Sequence, residues 1–348
     1  SYLVLYAGFG YDPFYFHMFS LLLHIGCVCL VWKLISSLLR VHGGVSEKQI
    51  LYVNFITTLL FAVHPINVEA VAWISALKVL LYAFFYLLGL LCYLRYIRTS
   101  EIFYYVLTIG CFLCSFWGKE QAVTFPLALL IVDWFTNRNM KNLEVWSEKM
   151  SFLIMAFFFG IITVLSQGKG PYEMIFPLYQ RLLFGCFALV EYITKSLLPV
   201  NLNFFYPFPI VLGEEPPLHY YLYPVVLLFL MGWIIAYRNN RYLVFGVLLF
   251  LVNLLFSIHL FNMSRHAIVA DRYMYLSYVG IAFLIANGIW WLRKRLSYFK
   301  AALVFLFFYC FFLSVYTFHY TKKWENTTMV KKYTKEVLEK RLNGSNHL

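Results

Sequence analysis

The chain has 348 residues, of which 62% are hydrophobic and only 13% are charged, and its mean hydropathy is +0.72. A soluble domain of this length has no interior large enough for so much apolar surface, so the composition excludes one and predicts an all-α, polytopic membrane protein. The net charge of +12 arises from 28 basic and 16 acidic residues. The basic residues fall mostly in connections and the tail, where topology and anionic headgroups account for them without nucleic acid.

In chain order, residues 1–14 read as the end of a first extracytoplasmic loop. Ser1–Tyr11 is no signal peptide, and the start at Ser1 reads as the remainder of something longer. Apolar runs able to enter or cross a bilayer follow at 15–39, 50–63, 77–97, 102–117, 121–136 and 151–167. More lie at 181–198, 222–237, 242–259, 274–292 and 301–319. They predict a transmembrane helix bundle of about ten or eleven membrane segments over residues 15–320. The tail, 321–348, reads as basic, helical over Thr328–Arg341 and flexible at Asn343–Asn346.

The basic connections Arg40–Lys48, Arg95–Arg98 and Arg138–Lys149 are expected in the cytoplasm, which puts His64–Ala76 and Gly118–Gln121 on the other side. Arg238–Arg241 and Arg293–Arg295 read the same way, which places Asn201–Tyr221 and Ser264–Tyr273 outside. The segment 181–198 must then leave and return on one face, as a re-entrant or interfacial helix carrying Glu191 and Lys195. The alternative turns over everything after 198. The basic tail favours that inversion, but convergence of the polar islands favours the first arrangement, which is the preferred reading.

Three polar islands interrupt the apolar pattern. In His64-Pro65-Ile66-Asn67-Val68-Glu69, a carboxylate and an imidazole sit at a membrane boundary, which is costly unless they have partners or a task. Pro65 suits a first helical turn and puts Glu69 about one turn on. The pair fits a hydroxyl-rich or phosphorylated ligand, and equally a capped helix start. At Lys119-Glu120, Lys119 is placed to meet a lipid phosphate with Glu120 orienting it, against an interfacial ion pair of little worth. In Arg265-His266…Asp271-Arg272-Tyr273, two guanidiniums are able to grip phosphate bidentately. Headgroup anchoring explains the arginines and the tyrosine but gives Asp271 no role.

Other features read as structural. The aromatic loop Asn201–Pro207 fits interfacial lining better than sugar stacking, and Asp133, His259 and Asn262 fit local hydrogen bonding. All seven cysteines lie in apolar stretches, and Cys111 and Cys114 have redox spacing without the soluble setting it requires. His17 and His24 share a helix face but supply too few ligands for a metal, and no metal is expected.

Taken in order, several strings carry a resemblance. They are Asp12-Pro13-Phe14-Tyr15-Phe16-His17, the leucine run ending at His24, and Phe61-Ala62-Val63-His64-Pro65 through Glu69-Ala70-Val71-Ala72-Trp73-Ile74-Ser75. Lys119-Glu120-Gln121-Ala122-Val123 and Ala270-Asp271-Arg272-Tyr273-Met274-Tyr275-Leu276 complete the set. Together they resemble the membrane part of the transmembrane O-mannosyltransferases that carry tetratricopeptide repeats, and of their bacterial relatives, from about the start of the chain to about Tyr320. The resemblance implies a GT-C-like fold that uses a polyprenyl- or dolichyl-phosphate sugar as donor, with mannose the first choice and no tightly bound cofactor. It implies transfer to a protein Ser or Thr hydroxyl on the extracytoplasmic side of an endoplasmic reticulum or bacterial plasma membrane.

By the same resemblance Lys119, Arg265 and Arg272 bind donor phosphate. Glu69 and His64 are the catalytic candidates, and Glu120, Asp271 and Tyr273 support them. The family places an acidic motif in its first extracytoplasmic loop, and this chain is expected to lack that usual base. Asp12 belongs to the later Asp-Pro element instead. Val79 stands where an acid is expected after Lys78, and the tetratricopeptide repeats are absent. A transporter or flippase of lipid-linked sugars is the competing class, although polar islands at helix ends fit it less well than internal repeats would. A non-catalytic membrane scaffold is the third.

Overall fold

The structure is a computed structural model that describes residues 2–166, 176–259 and 267–345. Helices dominate it. They run α1 Tyr2–Phe9, α2 Pro13–His42, α3 Glu47–Val63, α4 Val68–Ala72, α5 Leu77–Thr99, α6 Ile102–Gly118 and α7 Phe125–Phe135. They continue as α8 Leu143–Ser166, α9 Leu178–Leu197, α10 Leu222–Ala236, α11 Arg241–Leu254, α12 Met274–Trp291, α13 Leu296–Thr321 and α14 Thr327–Ser345. Every apolar run predicted from the sequence lies largely on a helix.

Not every predicted membrane segment is long enough to be a full crossing. Among the described residues, six helices are long and apolar enough to span a membrane, or seven if α3 and the segment Pro65–Ala72 form one span bent by 50°. α6 and α11, at 17 and 14 residues, rise roughly 25 and 21 Å, short of a ~30 Å hydrocarbon core. α9 is long enough at 20 residues, but Arg181, Glu191 and Lys195 interrupt its hydropathy.

At the start of the chain, residues 2–9 form the short helix α1, and the Tyr2 hydroxyl donates to the Ile74 carbonyl at 2.8 Å. Asp12 is a helix cap: its carboxylate accepts from the Phe14 amide at 3.0 Å, with Pro13 at the first helical position. At the far end, α14 continues past the expected stop at Arg341 as far as Ser345.

Close packing comes from glycine. A Cβ on Gly280 of α12 would lie 2.5 Å from the Gly246 carbonyl oxygen of α11, and one on Gly118 would lie 2.7 Å from the Tyr82 amide. Backbones approach this closely only where a side chain is absent. α10 has no buried residue, as suits a helix turned toward lipid.

Contacts sort the connections between two ends. At one end, His42 Nδ1 pairs with the Phe135 carbonyl at 2.7 Å and Arg241 donates to the Trp134 carbonyl. Here too lies a charged network that sequence patterning does not reveal. Asp133, expected as a local hydrogen-bonding residue, is fully buried and pairs with the equally buried Lys149 and with Arg138 at 3.2 Å. Arg138 takes Glu148 at 2.6 Å, and the Tyr93 hydroxyl donates to both Asp133 oxygens at 2.8 and 3.0 Å. The network ties α5, α7 and α8 together. The other end gathers the turn 64–76, the short helical turn Glu120–Thr124, the loop 201–207, the start of α12 and the tail.

Candidate functional site

The first element of the site is the break after α3. His64 ends that helix, and its Nδ1 accepts from the Ile66 amide at 3.2 Å, starting the turn Pro65–Asn67. Proline at the first position fixes φ, and Asn67 Nδ2 returns to the Phe61 carbonyl at 2.7 Å. The His64 ring is buried against Tyr278, with centroids 4.2 Å apart. The resulting bend sets α4 across the end of the bundle and aims Glu69 at α12.

Glu69 has no exposed surface. One of its oxygens accepts from Arg272 Nη1 at 2.5 Å and the other from the Arg272 backbone amide at 2.7 Å. A desolvated carboxylate costs several kcal/mol unless paired and hydrogen-bonded, and this geometry supplies both. The Arg272 side chain remains 22% exposed. Its guanidinium stands over the rings of Trp73, at 5.3 Å, and Tyr273, at 5.1 Å. Lys119 approaches the same Tyr273 ring, its Nζ 4.5 Å from the centroid. Two of the expected phosphate ligands therefore meet around one aromatic ring.

Asp271, the adjacent residue, belongs to a second cluster. It is fully buried, accepts from the Tyr206 hydroxyl at 3.0 and 2.9 Å and lies 3.4 Å from Lys195 Nζ. The Tyr206 hydroxyl also accepts from the Asn203 amide at 2.6 Å, and Lys195 lies 3.8 Å from Glu191. An antiparallel bridge between Tyr206 and Val269, with the Ile268 amide donating to the Tyr206 carbonyl at 2.9 Å, holds this loop beside α12. His259, read as a local hydrogen-bonding residue, contacts the Ile268 carbonyl at 2.7 Å.

The candidates thus divide. Glu69, Arg272, Tyr273 and Lys119 converge, with His64 shaping the turn beneath them, and Asp271 stands in the adjoining cluster. Glu120 is half-buried and opens the turn Glu120–Thr124. Arg265 lies outside the described residues, as do His266 and Asn262. His17 and His24 have separate surroundings: His24 Nδ1 pairs with the Tyr275 hydroxyl at 2.7 Å, whereas His17 lines a surface cleft.

Sequence patterning gave Trp73, Lys195 and Tyr206 no part in a site. The available signal was the pair Glu191 and Lys195 inside a largely apolar run. The loop 201–207 is not simply interfacial lining, because Tyr206 and Asn203 are buried.

The cleft has a volume of about 880 Å³ and opens between the turn 72–75, the loop at Phe204 and the α14 region. Trp73 belongs to both places, lining the cleft and lying beneath Arg272. Neither Glu69 nor His64 lines it.

The chain is 28% identical over 153 residues to Protein O-mannosyl-transferase Tmtc3 of Drosophila melanogaster, covering 38% of this chain and 16% of that protein. It is 32% identical over 143 residues to Protein O-mannosyl-transferase TMTC2 of Mus musculus, covering 39% and 16%. Against Protein O-mannosyl-transferase TMTC1 of Homo sapiens it is 29% identical over 144 residues, covering 38% and 15%. The matched stretch therefore spans only about a sixth of these relatives' own length. No family model matches the chain, and no solved structure matches it. Over little more than a third of its length the chain is thus similar to the TMTC protein O-mannosyl-transferases, and its bundle of apolar helices is consistent with the membrane part of a GT-C O-mannosyltransferase.

Proposed function

We propose that the chain is the membrane part of a glycosyltransferase acting on proteins. It moves a sugar, mannose first, from a polyprenyl-phosphate carrier to a Ser or Thr hydroxyl on the extracytoplasmic side of an endoplasmic reticulum or bacterial plasma membrane. The observation that carries this reading is the meeting of Arg272, Glu69 and Lys119 around Tyr273 in a chain similar to protein O-mannosyl-transferases.

In such a transfer the acceptor oxygen attacks the anomeric carbon and the carbon–oxygen bond to phosphate breaks. The bonding pair leaves with the lipid phosphate, and the hydroxyl proton passes to a carboxylate base, which by the resemblance belongs to the family's first extracytoplasmic loop motif and not to the residues assigned here. Charge grows on the departing phosphate, so fixed cations there lower the barrier. Arg272 and Lys119 fill that role, with Arg265 of the same connection as a further ligand.

Glu69 acts as a positioning residue in this scheme, because both its oxygens are engaged by Arg272 and it has no exposure. His64 holds the turn that presents it. Asp271 fixes the start of α12 through Tyr206 and Lys195, and Tyr273 carries the two cations on its ring. Glu120 borders Lys119 in sequence and supports it.

The test is transfer of radiolabelled mannose from polyprenyl-phosphate mannose to protein in membranes containing the full-length protein. Arg272→Lys keeps the charge but loses the fork that engages Glu69 and phosphate together. We expect about a hundredfold lower transfer with membrane insertion intact. Equal label with wild type and Arg272→Lys would remove Arg272 from the site, and no label from wild type would remove the transfer itself.

A further inference from the structure

We infer that the cleft between the turn 72–75 and the tail helix is a groove for an extended polypeptide segment, the stretch of acceptor that carries the hydroxyl. The acceptor role rests on the transfer reading above; the binding of polypeptide does not. A volume of about 880 Å³ lies in the range of true binding sites.

One wall is aromatic. Trp73, Phe204 and Trp324 stand against one another, with ring centroids 5.1, 5.9 and 6.5 Å apart. Through Trp73 this wall adjoins Arg272, so a chain lying in the groove passes beside the cationic site.

The other wall is charged and balanced. Lys331 and Lys335 face the groove together with Glu325 and Glu339, two cations against two anions. A lone phosphate or anionic headgroup gains nothing from a wall with no net charge. A polyprenyl chain laid there strips water from four charged groups without replacing any hydrogen bond. A polypeptide suits both walls. Its backbone offers donors and acceptors in alternation, Ser75 and Thr327 stand at the groove to meet them, and its small side chains pack against the partly exposed Trp73 and Phe204.

The test places a photoreactive benzophenone amino acid at Ser75, an exposed position on the groove, in the full-length protein in membranes. The membranes are irradiated with a biotinylated synthetic peptide of serine, threonine and glycine, and separately with a labelled polyprenyl phosphate. We expect a peptide adduct, competed by unlabelled peptide, and no lipid adduct.

Lys331→Trp, at an exposed position on the opposite wall, fills the groove and is expected to lower the peptide adduct about tenfold or more. A lipid adduct, an adduct with neither probe, or a peptide adduct unchanged by Lys331→Trp overturns the inference. Adduct formation requires no transfer. A peptide adduct without mannose transfer therefore sinks only the transferase reading, and transfer without an adduct sinks only this one.

Discussion

Asp271 and Arg272 are neighbours in sequence yet answer to different partners. Arg272 turns to Glu69 of α4, and Asp271 to Lys195 of α9 and Tyr206 of the loop beside it. Truncating one member of a buried pair strands the other, at a cost of about 3–5 kcal/mol, whereas an isosteric neutral partner costs less. Glu69→Ala is expected to destabilise the protein by about that amount and Glu69→Gln by less, measured by thermal unfolding in detergent. Equal melting of both variants and wild type would mean that the ion pair does not form. The same reasoning applies in weaker form to Asp133, where alanine leaves the buried Lys149 with Glu148 alone, a carboxylate that Arg138 also engages. Asp133→Ala is expected to cost about 3 kcal/mol, the lower end of that range, with no loss of membrane insertion. At this scale the sequence was half legible. A carboxylate at a membrane boundary marks itself as unusual, which is why Glu69 and Asp271 stand out. Their partners do not. Lys195 and Tyr206 look like ordinary residues of an interfacial helix and an aromatic loop, because a pairing across 76 or 65 residues leaves no local trace.

Helices were more legible than the residues on them, since an apolar run long enough to meet lipid is a local property. Whether such a run crosses fully is not local. α6 and α11 are short and lean on longer neighbours, and α11 does so through a glycine contact 34 residues away in sequence (Gly246 against Gly280). A Cβ at Gly280 would already stand 2.5 Å from backbone oxygen, with no flexible side chain to yield. Gly280→Ala is expected to push α11 from α12 and destabilise the bundle by about 1–3 kcal/mol. Gly232→Ala, on the open face of α10 where a Cβ meets nothing within 4 Å, serves as the control and should leave melting unchanged. Similar melting of the two variants would contradict the close approach.

For the molecule as a whole, the issue is which connections share a side. The basic tail favoured turning over the second half of the chain. Glu69 meeting Arg272, and α14 sharing a cleft with Ser75, argue instead that the turn 64–76, the start of α12 and the tail lie together. Single cysteines at Ser75 and Lys331, in a chain with its seven native cysteines replaced, are expected to react with an impermeant maleimide from the same side of sealed vesicles. A cysteine at Lys48, at the end that gathers the basic connections, should react only from the other. Labelling of Ser75 and Lys331 from opposite sides would break the shared cleft.

The Glu69–Arg272 pair also has a history within each molecule. It joins residues 203 positions apart. At ribosomal rates of roughly 5–20 residues per second, Glu69 waits on the order of ten to forty seconds for its cation to be made. Until then the bent segment 64–72 holds a carboxylate with no guanidinium to neutralise it, and water is the only available solvent for that charge. The turn is therefore among the last parts of the bundle to settle. A nascent chain stalled before α12 carries an open, hydrated notch at the point where the finished protein is closed.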